Sequence, residues 1–213
     1  MLSILQFPDR PQRVEAARGP CIAAIYGFAS REHMQRHLLA FVRAAGYSDT
    51  TLYGHAQARL MADDLQQAAS QGRPIVLIGF SQGGFEAMTV ARELKQRGVR
   101  VDLMVLIAAR GIGRLLPRRW GADMRHVPEN VTLCLNYFAE GDVMGSDRRH
   151  DDNLVSALAE TTRIENIAFT RDDNISHVGL SRCYPSDRLQ PILTQRLHNR
   201  LLAELNALQE LGA

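Results

Sequence analysis

Lysine is almost missing from this chain: Lys95 is the only one, and the remaining positive charges are arginines spread from end to end. A bias that uniform reflects coding composition more than selection at one site. With Lys+Arg at 25 against Asp+Glu at 23, the net charge is only +2, which gives no ground for a nucleic-acid or anionic-membrane partner. Cysteine is scarce too. Cys21, Cys134 and Cys183 are odd in number, far apart and without a C-x-x-C pair, which argues against a disulfide framework and a zinc site and fits a reducing compartment. No window approaches the roughly 20 apolar residues of a membrane span. The first ten residues lack the basic start and apolar core of a signal peptide, so a cytoplasmic location is expected. Repeats, low-complexity tracts and Pro/Gly/Ser-rich linkers are also lacking, so nothing divides the chain.

What is present is the composition of a globular α/β domain: 213 residues, 46% hydrophobic and 23% charged. Short runs of β-branched and aliphatic residues bounded by turn formers predict buried strands at 21–26, 74–80, 101–108 and 131–138, with a further strand at 162–170. Helical periodicity predicts helices at 31–45, 57–69 and 82–97, and one around 153–160. Leucines 193, 197, 201, 205 and 208 predict an amphipathic helix within 187–211, packed on one face of a sheet. Such alternation calls for a three-layer α/β/α sandwich around a mostly parallel sheet of about six strands, with active residues gathered at the C-terminal edge of the strands. The irregular stretch 111–130 at that edge is a candidate for a small cap.

Gly79-Phe80-Ser81-Gln82-Gly83 fits G-x-S-x-G. The pattern alone arises by chance in about one chain in twenty of this composition, so its context decides. The apolar run Pro74-Ile75-Val76-Leu77-Ile78 enters it and a helix beginning at Gln82 leaves it, so Ser81 sits on a tight strand-to-helix turn that needs glycine flanks. There its hydroxyl would project above the sheet over a helix N-terminus, where the positive end of the dipole and the Gln82 N–H favour negative charge.

In these residues and in its element order the chain resembles the α/β-hydrolase superfamily, here as one domain over 1–213 in the manner of a small serine esterase or thioesterase. The resemblance implies a base and an acid following the serine in the order serine, acid, histidine. His177, in the polar loop Asp173-Asn174-Ile175-Ser176-His177 between the last strand and the final helix, matches the base; His198 falls within a helix, and His126 precedes the strand expected to carry the acid. Asp142, closing Ala139-Glu140-Gly141-Asp142 after the strand 131–138, matches the acid, with Glu140 and Asp147 as rivals. Some thioesterase domains place the acid one strand earlier, but that strand ends Ala108-Ala109-Arg110, with no carboxylate. The oxyanion donors implied are the backbone N–H groups of Gln82 and Phe28, the latter in Tyr26-Gly27-Phe28, where relatives often carry His-Gly. The expected chemistry is cleavage of a small-molecule ester or thioester through an acyl-enzyme, with no metal or other cofactor.

Other signals are weaker. His33 and His37 stand one helical turn apart, but without the glutamate of a zinc motif they read as solvated helix surface. Gly111-Ile112-Gly113 lacks the third glycine of a dinucleotide site. Arg110, Arg114, Arg118, Arg119, Arg125, Arg148 and Arg149 put positive charge at the presumed active edge, where it would attract an anionic substrate or, in a non-catalytic protein of this fold, a binding partner. Nothing in the sequence specifies an oligomeric state.

Overall fold

A computed structural model describes residues 7–11, 19–111, 123–183 and 189–211. Six strands form the central sheet: β1 (Cys21–Tyr26), β2 (Thr51–Gly54), β3 (Ile75–Phe80), β4 (Val101–Ile107), β6 (Val131–Ala139) and β8 (Arg163–Phe169). Every neighbouring pair is parallel, in the order β2-β1-β3-β4-β6-β8. β5 (His126–Val127) and β7 (Ser156–Ala157) form a separate two-stranded parallel pair.

Side chains alternate across the sheet as the two-residue period requires. Val76, Ile78 and Phe80 of β3 join one apolar cluster with Met34, Leu38 and Val42 and with the leucines 193, 197, 201 and 205. Ile75 and Leu77 join the other, with Met61 and Leu65 of α3 (Ala58–Ser70) and Phe85, Met88 and Leu94 of α4 (Gln82–Gln96). The expected C-terminal leucine stripe is thus a core face. Its helix runs through α6 (Pro191–Leu193), a π-helical turn Thr194–His198 and α7 (Asn199–Leu211). The first helical stretch has the same construction: α1 (Arg31–Met34), a π-helical turn Gln35–Leu39 and α2 (Ala40–Ala44).

Three expectations need correction or restriction. Strand β2 was not predicted. The helix expected at 153–160 does not form; the chain there makes a 3₁₀ turn, His150–Asn153, and then β7. Buried Asn136 on β6 explains this, donating from Nδ2 to the Asn153 carbonyl (2.8 Å) and to Asn166 Oδ1 (2.8 Å), while the Asn166 amide pairs with both backbone groups of Val155 (2.9 and 3.0 Å). Those bonds are incompatible with an internally bonded helix. Most of the suggested cap, residues 112–122, lies outside the described residues, and Arg114, Arg118 and Arg119 lie there with it.

From β1 the chain passes to β2 on one side and then crosses back, through α3, to β3 on the other. The crevice beyond the C-terminal ends of β1 and β3 is therefore the topological switch point, where ligands of open α/β sheets bind.

Candidate active site

Ser81 links β3 to α4 with φ 53° and ψ −121°, a conformation that a residue with a side chain adopts only under strain. Its amide donates to the Ile107 carbonyl of β4 (2.8 Å) and its carbonyl accepts from Gly84 N (2.9 Å), so the backbone on both sides is fixed while the side chain faces the crevice. The loop after β1 closes on this turn. A Cβ on Gly27 would stand 2.9 Å from both Gln82 N and Ser81 Cβ, so only glycine permits the approach. Phe28, Ser81, Gln82 and His177 consequently line one cavity of about 400 Å³, together with Ala29, Ser30, His33, Phe80, Met144 and Val178. The four expected site residues of the cavity wall are therefore brought together.

His177 opens the one-turn helix α5 (His177–Leu180), capped by Ser176 Oγ accepting from Gly179 N (3.2 Å). Its ring packs on Phe80, with centroids 5.0 Å apart. Behind it, His177 Nδ1 meets Asp142 Oδ2 at 2.8 Å, with the Asp142 side chain only 2% exposed. The other oxygen, Oδ1, accepts from the amides of Met144 and Gly145, each at 3.1 Å. The carboxylate is thus oriented by its own turn and presents one oxygen to the imidazole, so Nδ1 carries the hydrogen of that bond and Nε2 is the ring nitrogen left unbonded to Asp142. Neither rival is the carboxylate that meets His177: Glu140 Oε1 pairs with His150 Nδ1 (3.0 Å), and Asp147 is placed by its backbone amide, which donates to Asn153 Oδ1 (2.6 Å).

Sequence reasoning missed Gly145, where a Cβ would come 2.6 Å from Asp142 Oδ2, His177 Nδ1 and Ala108 Cβ alike. No local pattern marks that glycine, because two of the three atoms it makes room for, on Ala108 and His177, come from distant parts of the chain. Also missed were the apolar rim residues Met144 and Val178, exposed by 51% and 43% at the cavity mouth, where the side chain of Phe28, expected only as a backbone donor, is exposed by 77%. The reading of His33 and His37 as solvated surface is overturned. His33 is half-buried in the cavity wall and bonds Ser181 Oγ at 3.0 Å, while His37 Nδ1 donates to the Cys183 carbonyl at 3.0 Å.

The arginine-rich edge changes as well. Arg110 is buried, its guanidinium donating to the carbonyls of Ala109 (2.9 Å) and Met124 (2.6 Å), and Arg125 pairs with Asp152 (2.6 Å). Arg148 and Arg171 instead line a second cavity, of about 520 Å³, on the far side of the Asp142 turn. Among the described residues no group of three or more His, Cys, Asp or Glu side chains could hold a metal ion, and no helix is long and apolar enough to cross a membrane.

A parallel sheet of this strand order, with a serine on the strained turn between its third strand and the following helix, defines the α/β-hydrolase fold. A family model described as Thioesterase domain matches residues 29–163, and the chain belongs to that family, one of ester or thioester hydrolases. Solved structures agree on the fold. The hyperthermophilic esterase from the archaeon Pyrobaculum calidifontis is 15% identical with a TM-score of 0.55, covering 97% of this chain and 81% of that one. Human thioesterase 2 is 11% identical with a TM-score of 0.52, covering 89% and 97%. YbtT, the type II thioesterase of the yersiniabactin NRPS/PKS biosynthetic pathway, is 14% identical with a TM-score of 0.50, covering 95% and 98%. A search of curated protein sequences finds no significant match.

Proposed function

We propose that the protein is a serine thioesterase or esterase in which Ser81 is the nucleophile, His177 the general base and Asp142 the acid that orients it. The observation that carries this reading is the His177–Asp142 hydrogen bond of 2.8 Å, made by a histidine that shares a cavity with a serine on a strained turn. Ser81 Oγ attacks the acyl carbonyl carbon as its proton passes to His177 Nε2. The tetrahedral oxyanion is stabilised by the N–H groups of Phe28 and Gln82 and by the N-terminal end of α4. Collapse breaks the bond to the leaving thiolate or alkoxide, which takes the proton from His177. Water, deprotonated by the same imidazole, then attacks the acyl-enzyme, and the acid is released as Ser81 regains its proton. No step in this scheme draws on a metal or an organic cofactor.

The apolar rim of Phe28, Met144 and Val178 suits a hydrophobic acyl group. We place the protein in the cytoplasm, a reading supported by three free cysteines, of which Cys134 and Cys183 are buried. We also read the chain as one domain acting on a small molecule, with neither nucleic acid nor membrane as partner.

The test is reaction with a fluorophosphonate, mapped by peptide mass spectrometry. A stoichiometric adduct on Ser81, lost in His177→Ala, is expected, along with a fall of at least about a hundredfold in thioester hydrolysis for Ser81→Ala. An adduct elsewhere, or a smaller fall, would remove Ser81 from the role of nucleophile.

A further inference from the structure

The turn that carries His177 is held from a side that the proposed chemistry does not use. α5 is only four residues long, too short to be stable by itself. Asp142 holds its first residue, and Leu180 anchors it in the core. From the opposite direction come His33 and His37, reaching out of the helical stretch 31–44 at the point where it widens into the π-turn Gln35–Leu39. Their rings lie 4.5 Å apart; His37 reaches the chain just past α5, at Cys183, and His33 meets it there, at Ser181, and also approaches the Val178 backbone within α5.

His37 Nδ1 faces the Cys183 carbonyl, which can only accept, so that nitrogen carries the hydrogen. His33 Nε2 faces Ser181 Oγ, which is fully buried and directs its own hydrogen toward the Val178 carbonyl at 3.4 Å. A hydroxyl has a single hydrogen, so the lone pairs of Ser181 are left to accept from His33 Nε2–H. The His33 ring also lies against Phe80, with centroids 6.2 Å apart, and Phe80 is the same ring on which His177 rests. Burial, with the neighbouring His37 ring second and Arg182 third, lowers the His33 pKa to about 4, so the neutral form that makes this bond prevails near pH 7.

We propose that His33 is a positioning residue that, through Ser181, clamps α5 against Phe80 and so fixes His177 relative to Ser81. The inference rests on reading His177 as the base, but it makes a mechanical claim that is measurable without catalysis. His33→Leu removes the bond at similar bulk, Ser181→Ala removes its partner, and His33→Gln keeps a nitrogen donor at comparable reach.

Hydrogen exchange at the amides of 177–183 is expected to quicken at least tenfold in His33→Leu and in Ser181→Ala, with no further gain in the double variant. His33→Gln should stay near the parent. In thioester hydrolysis kcat is expected to fall about tenfold in the first two variants with KM within twofold, and His33→Gln should recover at least half of the lost rate on a logarithmic scale. Unchanged exchange in both His33→Leu and Ser181→Ala overturns the clamp. A risen KM with unchanged kcat overturns it too, and assigns His33 to the acyl-binding wall. Should His33→Leu fail to fold, Ser181→Ala and His33→Gln decide the matter by the same readings. Failure of the parent protein to label at Ser81 would count against the triad and leave the exchange result standing; normal parental labelling with equally fast labelling of Ser181→Ala would count against the clamp alone.

Discussion

Ala29, Ser81, Ala108 and Asn174 are the non-glycine residues with positive φ among those described, and each follows a strand at the same edge of the sheet: β1, β3, β4 and β8. Such conformations cost of order 1–3 kcal/mol each and persist where the surroundings over-determine them. Here they turn the chain abruptly, so that Phe28, Ser81 and His177 converge on one cavity. The strain at Ser81 is separable from its chemistry. Ser81→Ala discards the hydroxyl and keeps a Cβ in the strained turn, whereas Ser81→Gly discards both. Ser81→Gly should therefore be more stable than Ser81→Ala by about 1 kcal/mol in urea unfolding, although both are inactive. Equal stability would mean that the turn stores no strain. The same contrast explains what the sequence discloses at this scale. The elbow can be read because its steric demands fall on neighbouring glycines, and Asp142 and His177 because each ends a strand-to-loop passage in the expected order. Gly145 and His33 cannot, since their roles are set by atoms more than thirty residues away in the chain, those of His177 and Ser181.

Among the elements, strands buried on both faces announce themselves as continuous apolar runs, and the expected runs at 21–26, 74–80, 101–108 and 131–138 match β1, β3, β4 and β6 to within a residue at either end. β2 escapes because it is four residues long and mixes Thr51, Tyr53 and Gly54 with a single aliphatic residue. The segment 153–160 misleads for another reason: its local preferences lose to a tertiary polar ladder built on Asn136, Asn153 and Asn166. The ladder also bears on the site, because it ties the chain beyond the Asp142 turn back to β6. Asn136→Asp keeps the shape but replaces the Nδ2 donor with an oxygen facing the Asn153 carbonyl and Asn166 Oδ1. A loss of at least about 2 kcal/mol is expected from the urea midpoint at pH 8, since a buried acceptor would face acceptors. A change below about 0.5 kcal/mol would show that the ladder does not hold this segment.

At the scale of the whole molecule, one face of the sheet is closed by two helical stretches, 31–44 and 191–211, and His198 sits between them. It is buried against Phe41, with ring centroids 5.2 Å apart, and its nitrogens approach the Arg182 backbone without a well-formed hydrogen bond. Burial lowers its pKa from 6.5 to about 4, with the Arg182 backbone pulling weakly the other way. Because the folded value lies below the unfolded one, the unfolded chain binds more protons between pH 6.5 and 4. Stability contributed by neutral His198 is thus fully present above pH 6.5, declines as the pH falls toward 4, and stops declining below that. The slope for one such proton is at most about 1.4 kcal/mol per pH unit. His33, whose pKa burial likewise lowers to about 4, adds an effect of the same sign in the same window. His198→Leu gives the titrating ring up for an apolar side chain beside Phe41, so it should lower stability at pH 7 through imperfect packing, yet flatten the decline between pH 6.5 and 4. Urea unfolding at intervals across that range measures both quantities. If the variant loses stability with acid as steeply as the parent, the proton responsible resides elsewhere; if the curve flattens, the acid sensitivity of the fold lies at the joint between the two helical stretches that close this face.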